Sequence, residues 1–285
     1  MASMRDIKRR RNSVASTQQI TKAMKLVATV KLQKTKARAE SSKPYFDKMY
    51  DTVTSMLAKS GTIEHPYLKP QESSKKAVIL ITSNRGLAGG YNSNVIKTIT
   101  SSDLKAEDLV LYTIGNKGRD YFHRRDYHIE KEYNDVIENP MFSDAKEICD
   151  EVLAKYVSGE IGEIYVAYTY FKNTVVHEPK LLKLLPVEVS QEDVEAAKEN
   201  ALMNYEPKEE EALEIIIPKY ITSILYGALV ESVASENGAR MQAMDAATSN
   251  AEELIEKLTL EYNHARQGSI TQELTEIVAG TNAVG

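Results

Sequence analysis

The run "VILITSNRGLAGGYNSNVIK", Val78 to Lys97, holds the residues whose types and spacing come nearest to chemistry. An apolar strand leads into Gly86, Gly89 and Gly90, and a helical pattern follows. That is the layout of a loop whose backbone N–H groups cradle a phosphate. The spacing departs from both familiar cradles. A dinucleotide fingerprint needs G-x-G-x-x-G, whereas these glycines read G-x-x-G-G. A P-loop needs Lys and then Ser or Thr after its last glycine, whereas Tyr91 and Asn92 follow here. No acidic residue closes the second strand to hold a ribose, where "TIGNKGRDYF" offers only Asn116 and Lys117. The loop therefore reads first as a tight strand-to-helix turn in which glycine permits positive φ and close packing, with nucleotide binding as the alternative. Other chemistry fares worse. His65, His123, His128, His177 and His264 show no metal-ligand spacing, and the single Cys149 cannot complete a zinc site. "HRRDYH" reads as solvated surface, and no G-x-S-x-G elbow is present.

The elements around the loop alternate. "AVILIT" (77–82), "DLVLYTI" (108–114) and "EIYVAYTY" (163–170) read as strands, with helices at "SNVIKTI" and "SDAKEICDEVLAKYV" between them. Such alternation predicts a parallel, Rossmann-like sheet. The polar, acidic stretch 190–212 forms a joint into the last helix.

The two ends follow another period. Met1–Lys43 contains neither Gly nor Pro, and Val14, Thr17, Thr21, Met24 and Ala28 step 3, 4, 3, 4, with Ile7 one heptad earlier. Pro44 is expected to kink or restart this helix, with Ser42 as its cap, and Gly61 to stop it. After Pro218 no proline occurs, and Met244, Ala247, Ala251, Leu254 and Leu258 form a second seam, followed by a stripe at Ile270, Leu274, Ile277 and Val278. Sixty helical residues would reach about 90 Å, too long for burial in one globule. Two such helices, one with an alanine-rich seam, are expected to pair antiparallel as a thin coiled coil. Two surface helices of a bundle, broken at Pro44 and Gly238, are the alternative. The expected division is 1–60, 61–212 and 213–285.

Charge is just as uneven. Of 36 Lys and Arg and 41 Asp and Glu, twelve basic residues and only Asp6 and Glu40 fall in Met1–Lys43, so a basic arm is set on an acidic body. A basic helix with heptads superficially resembles the arm of a bZIP protein, but here the basic residues overlap the seam instead of preceding it, so nucleic acid is not the expected partner. No apolar run reaches the roughly 18 residues of a bilayer span, and the basic start lacks the apolar core of a signal peptide. One cysteine points to a reducing compartment and no internal disulfide.

The tail "ENGARMQAMDAATSNAEELIEKLTLEYNHARQGSITQELTEIVAG", the stretch "TQQITKAMKLVATVKLQK" and the inner motifs "TSNRGLAGGYNSNVIK", "IGNKGRDYF" and "HEPKLLKLLPV" closely resemble the γ subunit of F-type ATP synthases, in order and from end to end. The resemblance implies an antiparallel pair of terminal helices turning as a shaft inside the ring of α and β subunits. It implies a Rossmann-like α/β foot on the membrane c-ring and the ε subunit, at the cytoplasmic face of a bacterial cell membrane. Nucleotide and Mg then belong to neighbouring subunits, and this chain carries no cofactor and no active site. By the same resemblance Met24 and Lys25 face the acidic lever loop of the catalytic subunits, and Arg240 couples shaft to ring. Arg266 and Gln267 form a catch with Thr271 and Glu273 beside it, and Ile277 and Val278 sit in an apolar sleeve. Without it, each but Arg240 would read as a solvated or seam residue of a coiled coil. Gly238 and Gly268 stand where the family often has alanine. Gly268 is expected to soften or bend the last helix, and Ser269 with Gln272 to cap a restarted segment. The redox-switch insertion of chloroplast relatives is absent, so regulation by a disulfide is not expected.

Overall fold

The computed structural model describes residues 4–59, 65–69, 71–187 and 209–284. Its elements in chain order are α1 (Met4–Lys59), β1 (Lys76–Ile81), α2 (Tyr91–Thr100), β2 (Leu109–Ile114), α3 (Asn116–His123), β3 (Ile129–Tyr133), α4 (Phe142–Val157), β4 (Glu163–Phe171), β5 (His177–Leu185) and α5 (Glu209–Val284). Two compact units emerge, Met1–Ala28 with Met241–Gly285, and Thr29–Arg240, so the division cuts through both long helices where the sequence reading divides the chain at 60 and 212. Gly61 and most of the 190–212 joint lie outside the described residues.

In the Thr29–Arg240 unit the strands form one sheet in the order β3-β2-β1-β4-β5. β1 pairs in parallel with β2 and β4, and β2 in parallel with β3, whereas β5 returns antiparallel to β4. The expected parallel sheet is thus mixed, with two strands the sequence reading lacks. Both are edges. β3 carries Glu130, Lys131 and Glu132, and β5 carries Pro179 and three charged residues, as edge strands tolerate and central ones do not. β1 and β2 lie between covered faces, which is why they are almost unbroken apolar runs. One face packs Val78, Leu80 and Leu111 against Val95, Ile96 and Ile99 of α2 and Phe122 of α3. The other packs Ile79, Ile81 and Tyr112 against Ile148, Val152 and Tyr156 of α4 and against Leu213, Ile217, Ile221, Leu225 and Leu229 of α5. Those α5 residues recur every fourth position and make one apolar stripe. This part of α5 is apolar enough by composition to cross a membrane, yet 56% of its most apolar window is buried, as a core helix would be.

In the other unit α1 and α5 pair antiparallel. Arg11 lies over the Tyr262 ring, the hydroxyls of Thr21 and Thr248 are 2.8 Å apart, and Lys25 Nζ lies 2.5 Å from Asp245 Oδ1. The α5 seam residues Met244, Ala247, Ala251, Leu254 and Leu258 are buried or half-buried as expected. The α1 seam is corrected. Thr17 is exposed, its hydroxyl turned back to the Ser13 carbonyl, and the covered positions include Ile7, Arg11, Val14, Gln18, Thr21, Met24, Lys25 and Ala28. Long aliphatic stems of Arg, Gln and Lys cover this seam while their polar ends reach solvent.

Two expected restarts, at Ser42 and Ser269, are also corrected. α1 is helical through Pro44, and Ser42 starts no new segment. A proline removes one backbone donor. On either side Arg38 donates to the Tyr226 hydroxyl and Val53, Thr54 and Met56 are buried, which holds the helix across the gap. α5 is helical through Gly238 and through Gly268, and Ser269 begins nothing.

Candidate functional site

At the C-terminal ends of β1 and β2, where an open α/β sheet usually receives its ligand, the two strand-to-helix turns hold each other. Thr82 N–H donates to the Ile114 carbonyl, and the Thr82 hydroxyl accepts from Gly118 N–H at 2.9 Å. Asn116 N–H donates to Asn84 Oδ1, and Lys117 N–H to the Ser83 carbonyl. The first amides of α3, the donors that would meet an anion, are therefore already engaged. On the other turn Ser83 N–H donates to Asn92 Oδ1 at 2.9 Å, so the Asn92 side chain fills the cradle. Gly115 is required here. Its φ is +90° and a Cβ would stand 2.1 Å from the Thr82 carbonyl oxygen. Of the three loop glycines only Gly89 takes positive φ. The other left-handed residue is Leu87, an exposed side chain at φ 64°.

Arg240 closes this region from α5. Its guanidinium lies 2.6 Å from Glu236 Oε1 and donates, at a long 3.5 Å, to the Gly86 carbonyl. Burial pushes the Glu236 carboxyl upward in pKa and the Arg240 charge pulls it back. The Tyr91 hydroxyl is buried beside them and its pKa is raised, by burial first and by the Glu236 charge second. The Arg240 side chain is 14% exposed and turned into its own unit. Glu236 and Tyr91 were missed, although Glu and Arg four residues apart on a helix are a readable pair.

The remaining expected contact residues lie on the paired-helix unit. Met24 is half-buried beside the seam, and Lys25 is engaged with Asp245, a partner the sequence reading lacks. Arg266, Gln267, Thr271 and Glu273 are exposed on α5, as are Ile277 and Val278. Large apolar side chains are bare on α1 as well: Ile20, Leu26 and Val27 are each about 60% exposed. Lys22 stands exposed among them, and Lys8, Arg9 and Arg10 are exposed nearer the start of the same helix. Apolar side chains contiguous on a helix face, rimmed by one sign of charge, are the mark of a surface that meets another protein. Among the described residues no three His, Cys, Asp or Glu side chains gather as a metal site, and Cys149 is buried, its thiol pushed up to about 12 by burial.

The family model described as ATP synthase matches residues 3–284. The chain is 62% identical to the ATP synthase gamma chain of Lachnoclostridium phytofermentans over the whole of both chains. It is 43% identical to the sodium ion specific ATP synthase gamma chain of Acetobacterium woodii, covering 99% of this chain and 98% of that one. Among solved structures it is similar to a chain of the central stalk and c-ring of the Tetrahymena thermophila mitochondrial ATP synthase, with a TM-score of 0.60 and 26% identity over 80% of this chain and 99% of that one.

Proposed function

The chain belongs to the family of ATP synthase gamma chains, and from that premise we propose how its residues divide the work of a rotary complex. It is the central rotor shaft of an F-type ATP synthase, coupling ion flow through the membrane rotor ring to sequential conformational change in the catalytic subunits, and so to ATP synthesis or hydrolysis. The complex is membrane-associated. We place this subunit at the cytoplasmic face of a bacterial cell membrane, peripheral to it, with the α and β subunits around the paired helices and the ε subunit and c-ring against the α/β unit. One observation carries this reading. The paired-helix unit leaves bare both its apolar side chains, Ile20, Val27, Ile277 and Val278 among them, and a run of cations, as a surface turning against an apolar sleeve and an acidic lever requires.

In this reading Met24 and Lys25 meet the lever loop, and Arg266, Gln267, Thr271 and Glu273 engage a catalytic loop. Ile277 and Val278 run in the sleeve. The chain itself has no active site and holds no cofactor; nucleotide and Mg stay in the neighbouring subunits. The engagement of the Ser83, Asn116 and Gly118 amides within the protein supports that assignment. Two measurements test it. Micromolar binding of ATP or NAD to the isolated chain in equilibrium dialysis would overturn the cofactor assignment. In vesicles, Met24→Lys is expected to lower the ions moved per ATP hydrolysed by giving the lever loop a cation to bind, and unchanged pumping would remove Met24 from that contact.

A further inference from the structure

The polar side of α5 facing the sheet is an arrangement that the shaft reading does not use. Ser232, Glu236 and Arg240 recur every fourth residue on one face, with Ser235 beside them. Thr169 N–H of β4 donates to Ser232 Oγ at 3.3 Å, and the Ser235 hydroxyl donates back to the Thr169 carbonyl at 3.1 Å. One turn further, Glu236 and Arg240 form an ion pair whose side chains are only 12% and 14% exposed. Tyr91, the first residue of α2, buries its hydroxyl among these groups. The end of this polar face therefore reaches the strand-to-helix turn after β1, where Arg240 stands on the Gly86 carbonyl.

An ion pair sealed this far from water gains little over apolar residues of the same volume, because both charges must be stripped of hydration. What such a pair supplies is geometry. A carboxylate four residues before a guanidinium pins the guanidinium in one orientation, and a planar fork so held has few other places to point. We propose that Glu236 is a positioning residue: it holds Arg240 against Gly86 and so ties the glycine loop to α5 at the last residue of the α/β unit, making the loop and the helix turn as one body. The proposal rests on the shaft reading, since a tie of this kind matters to a part that must deliver torque from sheet to helix. It also gives the Gly86–Gly90 loop a role that phosphate binding does not: its carbonyl is the grip.

The test uses the assembled complex in vesicles, with amide exchange of residues 87–92 and ATP-driven ion pumping measured on the same preparation. Glu236→Ala leaves Arg240 without its anchor. Exchange in the loop is expected to rise about tenfold, and the ions moved per ATP to fall several-fold while ATP hydrolysis continues. Glu236→Gln keeps an acceptor for the guanidinium and is expected to restore most of both, which a residue that merely fills space would not need. Should the alanine variant fail to assemble, Glu236→Asp, shorter by one methylene, is expected to show the same two changes at smaller size. Unchanged loop exchange in an assembled Ala or Asp variant overturns the tie. Faster loop exchange with normal pumping overturns its part in coupling. A failure of the shaft reading would be seen elsewhere: a complex depleted of its gamma chain would not regain pumping on addition of the unaltered chain.

Discussion

In the α/β unit, Tyr112, Ile114, Leu225 and Leu229 are sealed from solvent, and the two faces of the sheet each carry a layer of such residues. In the paired-helix unit only Ile7, Thr21, Ala28, Met244, Ala251 and Leu258 are buried among the described residues, all but Ala28 less completely, and one of the six is a threonine. Small seam residues bring two backbones close but remove little apolar area from water. The first unit also leaves large apolar side chains outside, Val30, Leu87, Val175 and Ile215 among them, but it does so around a sealed core. The second leaves Ile20, Leu26, Val27, Leu260, Ile277 and Val278 on the outside with few sealed residues behind them. One chain thus contains a part built around a sealed core and a part whose two helices hold each other along a thin seam.

The largest effect that separates the two is a core truncation. Leu225→Ala removes a fully buried side chain between α5 and the sheet and is expected to lower stability by about 3 kcal/mol. Leu258→Ala, in a seam that can close over the gap, should lower it by about 1 kcal/mol. Urea unfolding followed by tyrosine emission measures both, the chain having 16 Tyr and no Trp. Equal losses would show that the seam is packed like the core and would break the comparison.

Two glycines of α5, one in each unit, sharpen it. At Gly238 a Cβ would stand 2.5 Å from His177 Nε2, so the imidazole of β5 rests on bare helix backbone, and burial lowers the His177 pKa. At Gly268 a Cβ would meet nothing within 4 Å. Gly238→Ala is expected to destabilise by about 2 kcal/mol through overpacking, and His177→Ala in the same chain to recover most of that loss. Gly268→Ala is expected to act in the opposite direction, by up to about 1 kcal/mol of helix propensity. Gly238→Ala with no loss would show that the ring simply turns aside.

The central strands could be read from the sequence because burial on both faces leaves an unbroken apolar signature, as in "KAVILI" and "LVLYTI". The edges β3 and β5 could not, since charge and proline there serve to block further pairing and so erase the strand pattern. The α5 seam was legible in its alanines and leucines. The α1 seam was misread by one position at Thr17 because Gln18 and Lys25 cover it with their stems, a use of polar residues that hydropathy does not display. For the contact residues, sequence order placed Arg266 to Val278 on an exposed helix. It could not show that Arg240 faces inward, since the carbonyl it meets lies 154 positions earlier.

Ion pairs repeat the contrast between the units. Glu163 accepts from Lys76 and Lys183, each at 2.8 Å, with its side chain 19% exposed. Burial alone would raise its pKa, but hydrogen bonds from Lys183, Lys76 and Tyr165 outweigh that and hold the carboxyl at about 2. A carboxyl depressed in the folded state stabilises fully above its usual pKa of 4.5, and that contribution is lost as pH falls from there towards 2. Between pH 5 and 2 the α/β unit is therefore expected to lose about 2 kcal/mol on this account. Glu163→Gln should flatten that part of the pH profile in urea titrations. A profile identical to that of the unaltered chain would mean the pair is no stronger in the folded state than in the unfolded one.

Lys25 and Asp245 are as close, 2.5 Å, but their side chains are 39% and 58% exposed, and water screens what they share. Such a pair contributes about 0.5 kcal/mol or less, and salt weakens it further. Lys25→Gln keeps the stem that covers the seam and removes only the charge, so the stability of the paired helices is expected to change by no more than that, with thermal unfolding of the chain as the measure. The small size of the effect makes the substitution useful. A change in ion pumping by the assembled complex carrying Lys25→Gln could not then be charged to a weakened coiled coil, and it would report the loss of a cation from the surface presented to the catalytic subunits. If stability instead fell by 2 kcal/mol or more, well beyond the range of about 0–1 kcal/mol for exposed pairs, Lys25 would belong to the fold of the pair, and its place on the partner-facing surface would have to be given up.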